Sequence, residues 1–219
     1  MRVLVIGATG TVGRAVVAAL DARHDVIAAS DRGATEQVDI SDPASIRELF
    51  GRIRPVDAVV STAGQRAYKP LSELTDADFE LGLRVKLMGQ VNLVRHGLDA
   101  VRDGGSFTLT SGIFGTHPTP WSGVQSMVNA GVDGFVRAAA LGMPRGIRIN
   151  AVSPDWVEET LAAMGGRDPA TGRQASTGVP VADVARAYVA SVEGRESGAV
   201  REVARSLWPA SAAWDPARR

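Results

Sequence analysis

The stretch Arg2-Val3-Leu4-Val5-Ile6-Gly7-Ala8-Thr9-Gly10-Thr11-Val12-Gly13 decides the fold. A short apolar run of strand length meets three glycines at fixed spacing, and a helical segment, RAVVAAL, follows at once. Gly7 permits a tight turn, Gly10 lets backbone approach a pyrophosphate, and Gly13 lets helix and strand pack closely. The new helix points its first N–H groups at the same spot, where they attract a phosphate. Thr9, Thr11 and Val12 complete this cradle, and a dinucleotide is the ligand it predicts.

Working outward, apolar β-rich runs recur at 26–30, 58–61, 106–110, 147–152 and 199–203, separated by longer segments of helical period. That alternation predicts a doubly wound parallel α/β sheet with helices on both faces. A weaker run at 36–40 adds an edge strand beside the second, for about seven strands. Thr75 caps a helix expected to run to about Val101, with Asp76 and Asp78 at its positive end. Val124, Val128, Val132, Phe135 and Val136 line one face of another, expected from about Ser122 to Met143. The reading gives one domain over residues 1–208, a polar lid loop at about 165–180, and a disordered tail at 209–219.

Bulk composition narrows the partners. Lys plus Arg and Asp plus Glu number 24 each, so no net positive field holds the chain on nucleic acid or an acidic membrane. No apolar run approaches the ~20 residues of a membrane span. Met1 and Arg2 lead straight into a strand, so no leader segment is expected. The absence of cysteine excludes disulfides and thiolate metal sites and fits a cytoplasmic home. Three scattered histidines make no metal-ligand pattern, and His24 and His96 read as structural or exposed. The expected partner is a small-molecule substrate.

Four ordered stretches resemble the short-chain dehydrogenase/reductase family: the glycine cradle, LSELTDADFELGLRVKLMGQVNL, FTLTSGIFG and RGIRINAVSP. The resemblance covers nearly the whole chain, from Arg2 to about Val203. It implies NAD or NADP as cofactor, and pairing into a homodimer or homotetramer through the two long helices. It also implies further cofactor contacts. Asp39 and Ile40 would meet the adenine, Thr62, Ala63 and Gly64 the ribose and pyrophosphate, and Pro154 and Val157 the carboxamide, with Thr160 a further contact. Ser30-Asp31-Arg32 stands where an acid would select NAD and an arginine NADP, and the triplet carries both signs.

At the reaction centre the chain departs from the family. Ser111 matches the serine that holds a carbonyl oxygen. Gln125 and Asn129 stand where the proton-giving tyrosine and its lysine belong, and Lys86 replaces the asparagine of the preceding helix. Lysine and asparagine have traded places, so Lys86 is expected to bring an ammonium to the pocket, its pKa lowered by burial; a lysine reaching solvent is the alternative. Gln125 has no useful titration and can only orient a substrate. His117, in a loop bordering the site, is a second candidate for proton transfer, with a surface-loop histidine the favoured alternative. Trp121 and Trp156 would give an aromatic or apolar substrate a surface. Three readings follow: an atypical oxidoreductase acting on a carbonyl or alcohol, a non-redox cyclase, dehydratase or isomerase, and a nucleotide- or partner-binding protein without turnover.

Overall fold

The structure, a computed structural model, describes residues 1–64, 68–166 and 178–205. Seven parallel strands are hydrogen-bonded in one sheet: β1 (Arg2–Ile6), β2 (Asp25–Ser30), β3 (Glu36–Gln37), β4 (Val56–Ser61), β5 (Val101–Thr110), β6 (Arg148–Pro154) and β7 (Val200–Val203). Their spatial order is β3-β2-β1-β4-β5-β6-β7, so the chain winds outward from β1 in both directions. The doubly wound expectation holds, and the edge strand is shorter than the sequence suggests.

Parallel strands covered on both faces read as unbroken apolar runs, and β1 shows why. Leu4 and Ile6 enter one core while Val3 and Val5 enter the other. The first core is closed by α2 (Pro43–Ile53), α4 (Gly89–Gly97) and α5 (Gly123–Ala140), through Ile46, Leu49, Leu93, Val132 and Val136. The second is closed by α1 (Thr11–Asp21) and α7 (Val181–Glu193), through Val16, Leu20, Val184 and Tyr188. Two short helices, α3 (Asp76–Leu81) and α6 (Glu158–Ala163), flank the C-terminal ends of the central strands.

The helix expected from Thr75 to Val101 is not continuous. Thr75 does cap it, its hydroxyl accepting from Asp78 N while the Asp78 carboxylate accepts from Thr75 N. After α3 the backbone widens into a π-helical segment, Gly82–Met88, before α4 resumes. The buried Gln90 side chain donates to the Lys86 carbonyl at 3.0 Å, and a side chain inserted into the helical ladder disturbs its register. The helix then ends at Gly97, where a Cβ would meet the Phe50 ring at 2.6 Å. After a short 3-10 turn, Val101 is already sheet, paired with Val56 before an irregularity that precedes the Ser106–Ala58 pairing. Thus β5 begins earlier than its apolar run.

Of the expected lid, residues 167–177 lie outside the described residues, as does the whole of the expected tail at 209–219. Among the described residues no helix is long and apolar enough to cross a membrane, and no cluster of three His, Asp or Glu stands ready for a metal.

Candidate active site

Two clefts open side by side at the C-terminal ends of β1, β2, β4, β5 and β6. The first is lined by Gly7, Thr9, Gly10, Ser30, Asp31, Asp39, Ile40, Thr62, Ala63 and Gly64. Gly7 has φ +81°, a conformation side chains rarely adopt, and a Cβ on Gly13 would lie 2.0 Å from the Gly7 carbonyl oxygen. The strand and helix therefore meet as closely as backbone allows, leaving the N-terminus of α1 open toward the cleft. Thr11 begins that helix, and Val12 lines the neighbouring cleft. The Thr9 and Ser30 hydroxyls share a hydrogen bond of 2.8 Å, which ties the glycine turn to the end of β2. These residues fit a dinucleotide. Arg32 is 92% exposed with its guanidinium 3.9 Å from Asp31, so neither sign dominates at the ribose end.

The second cleft gathers Thr62, Gly64, Lys86, Ser111, Gln125, Asn129, Pro154, Asp155, Trp156 and Val157 around about 840 Å³ of space, its open mouth included. The sequence separates these residues widely, but the strand ends bring them together. The Lys86 ammonium donates to the Ser111 main-chain carbonyl at 3.1 Å. Its stem crosses Gly64 so closely that a Cβ there would lie 2.9 Å from Cδ. Gln90, fully buried, fixes the surroundings: its amide donates to the Thr110 and Lys86 carbonyls and accepts from Thr110 N. The Ser111 hydroxyl donates to the Asn129 carbonyl at 3.2 Å.

Gln125, Asn129 and Asp133 form a buried polar stripe along α5, spaced four residues apart on one face. Burial pushes the Asp133 carboxyl above the usual carboxylate range, opposed by the nearby Ser111 hydroxyl and by the charges of Arg137 and Lys86. Its Oδ1 has no partner among the described residues. Asp155 is also pushed upward by burial, against a hydrogen bond from Trp156 N and the charge of His117.

Not every expected residue reaches the pocket. His117 is exposed, its Nδ1 2.9 Å from the Thr116 hydroxyl, and it lines a separate cleft with Asp155 and Glu202. Thr160 sits on α6 and lines none of these clefts. Trp156 lines the pocket, whereas Trp121 stands further out, its ring 6.5 Å from Tyr68. Tyr68 also contacts Phe114 and Trp156, each at 5.8 Å, in an aromatic cluster that the sequence did not announce. Gln90, Asp133 and the burial of Asp155, which stands where the family has a glycine, are likewise not marked in the sequence as parts of the site. The four-residue spacing of Asp133 from Asn129 was the visible sign for one of them.

A family model described as enoyl-(acyl carrier protein) reductase matches residues 11–192. The chain belongs to the short-chain dehydrogenase/reductase family. Protein lin1944 of Listeria innocua, a solved structure, is 40% identical, covers 93% of this chain and 99% of its own, and superposes with a TM-score of 0.87. Among curated relatives, the hydroxynaphthalene reductase arp2 of Aspergillus fumigatus is 29% identical over 53% of this chain. An acetoacetyl-CoA reductase of Allochromatium vinosum is 27% identical over 70%. The matches span 43% and 65% of the lengths of those two relatives. The family is one of oxidoreductases, and the glycine cradle at the head of α1 has the form that fits a dinucleotide such as NAD(P).

Proposed function

We propose that this family member is an atypical NAD(P)-dependent oxidoreductase that reduces a small-molecule carbonyl, or oxidises the matching alcohol, with Lys86 as the cation at the reacting atoms. One observation carries this reading: the Lys86 ammonium lies in the pocket with Ser111, Gln125 and Asn129, held to the Ser111 carbonyl. The family's tyrosine and lysine are missing, yet a positive charge is present in the same cleft from a different helix.

The dinucleotide would be held by Gly7, Thr9, Gly10 and the N-terminus of α1 at its phosphates. Asp39, Ile40, Ala63 and Gly64 would flank the adenosine end, and Pro154 and Val157 the other. When bound, it supplies or accepts a hydride. The protein's own share is electrostatic: the Lys86 ammonium stabilises negative charge developing on the substrate oxygen, an effect worth about 10²–10³ in rate for one well-placed donor. Ser111, its proton resting on the Asn129 carbonyl, accepts from the hydroxyl of the alcohol form or turns that proton to the carbonyl oxygen of the ketone form, and Gln125 orients the substrate. His117 is placed outside this cleft and takes no part in the proposal.

Asp155 supports a second reading. A carboxyl that burial keeps protonated more readily gives the pocket an acid for non-redox proton transfer, such as dehydration or isomerisation. Titration with NADH and NADPH, followed at the nicotinamide absorbance band across a panel of carbonyl compounds, separates the two. Consumption of the reduced cofactor supports the oxidoreductase. Tight binding without consumption supports the second reading.

We further propose a homo-oligomer paired through the π-helical segment, α4 and α5. Leu83, Met88 and Met127 leave about two fifths of their surfaces exposed there.

A further inference from the structure

Among the described residues two glutamines are buried in or beside the active cleft, and they are treated very differently. Gln90 is fully buried and its amide makes three hydrogen bonds, all to main chain. Gln125 is 7% exposed and lines the pocket, yet neither its amide nitrogen nor its amide oxygen meets a partner among the described residues. Each such buried atom left unpaired costs about 1–3 kcal/mol. Gln90 shows that this fold can satisfy a structural glutamine completely. Gln125 belongs to the pocket wall, so a ligand seated there is the nearest candidate to answer its open donor and acceptor.

The missing partner must answer both atoms. A simple ketone, an ester or a carboxylate offers acceptors alone and leaves the amide oxygen unpaired. A cis-amide edge answers both in one plane, its N–H meeting Oε1 and its C=O meeting Nε2. The walls restrict the shape further. Phe114 and Trp156 stand edge to face with centroids 6.1 Å apart, and Val124 and Val128 complete an apolar lining that suits a flat ring.

We propose that this pocket takes a planar heterocycle carrying a lactam edge beside its reacting carbonyl, with the lactam paired to the Gln125 amide. This rests on the pocket being the substrate site of the oxidoreductase described above.

The test uses isatin, a flat ring with a lactam next to a ketone, and N-methylisatin, which lacks the N–H donor. Binding to the full-length protein saturated with NADPH is followed by calorimetry, alongside oxidation of the cofactor. Isatin is expected to bind about tenfold more tightly than N-methylisatin, and Gln125→Leu to bring the two within about twofold. Gln125→Met serves the same purpose if the leucine variant fails to fold. Equal affinities in the wild type, absence of binding by either ring, or a preference that persists in both variants overturns the proposal. Preferential binding of isatin without NADPH oxidation supports the lactam site and counts against the redox reading. Oxidation without preference does the reverse.

Discussion

The Lys86 ammonium donates to the main-chain carbonyl of Ser111 across 3.1 Å, joining the π-helical segment to the end of β5. Lys86→Met keeps the length and apolar stem of the side chain and removes the charge. Turnover is expected to fall ~10²–10³-fold, with NAD(P)H affinity changed little. Steady-state kinetics and a cofactor titration check this, and unchanged turnover would return Lys86 to an ordinary surface lysine.

Gly64 lets the lysine stem through. A methyl group there lies 2.9 Å from Lys86 Cδ, and a flexible side chain gives way more easily than backbone. Gly64→Ala is therefore expected to leave the melting temperature nearly unchanged while lowering kcat by roughly 10–100-fold, because small displacements of a reacting group are expensive in rate. Full activity would show that the ammonium tolerates displacement.

Gly13 offers no such relief. Its added Cβ would sit 2.0 Å from the Gly7 carbonyl oxygen, against the backbone of Gly7 and Ala8, which cannot swing aside. Gly13→Ala should destabilise the protein by about 1–3 kcal/mol or more and abolish dinucleotide binding, as thermal denaturation and calorimetry would record.

Asp133 gives a pH-dependent prediction. Burial raises its pKa in the folded protein, so the unfolded chain loses that proton first as pH rises. The folded state is thus penalised above the unfolded value, about 3.9, and not below it. Asp133→Asn should raise the melting temperature at neutral pH by about 2–4 °C for each kcal/mol recovered, with the gain vanishing near pH 4. A gain independent of pH would remove the carboxylate as its cause.

The sheet was legible because covered parallel strands must be apolar along their length and because the glycine cradle fixes where the first one ends. The break after α3 was not legible. It depends on Gln90 reaching the Lys86 carbonyl and on Phe50 lying against Gly97, contacts between residues distant in sequence or turned inward from a helix. Lys86 and Asn129, far apart in sequence and both singled out there, line one cleft. Burial of Asp155 and the Tyr68–Phe114–Trp156 cluster were not readable, since each arises only when separate strand ends converge. His117 is exposed, because adjacency along a loop does not fix the direction of a side chain.

The widened turn at Gly82–Met88 bears on transplantation. A π-helical stretch changes the rotation between successive residues, so the direction in which Lys86 leaves its helix belongs to the segment as much as to the residue. Writing a lysine at the matching position of a relative whose helix stays regular would deliver the charge to a different compass point. Moving this active site to another scaffold therefore means moving the whole stretch, together with the glutamine that holds its carbonyl and the glycine beneath its side chain.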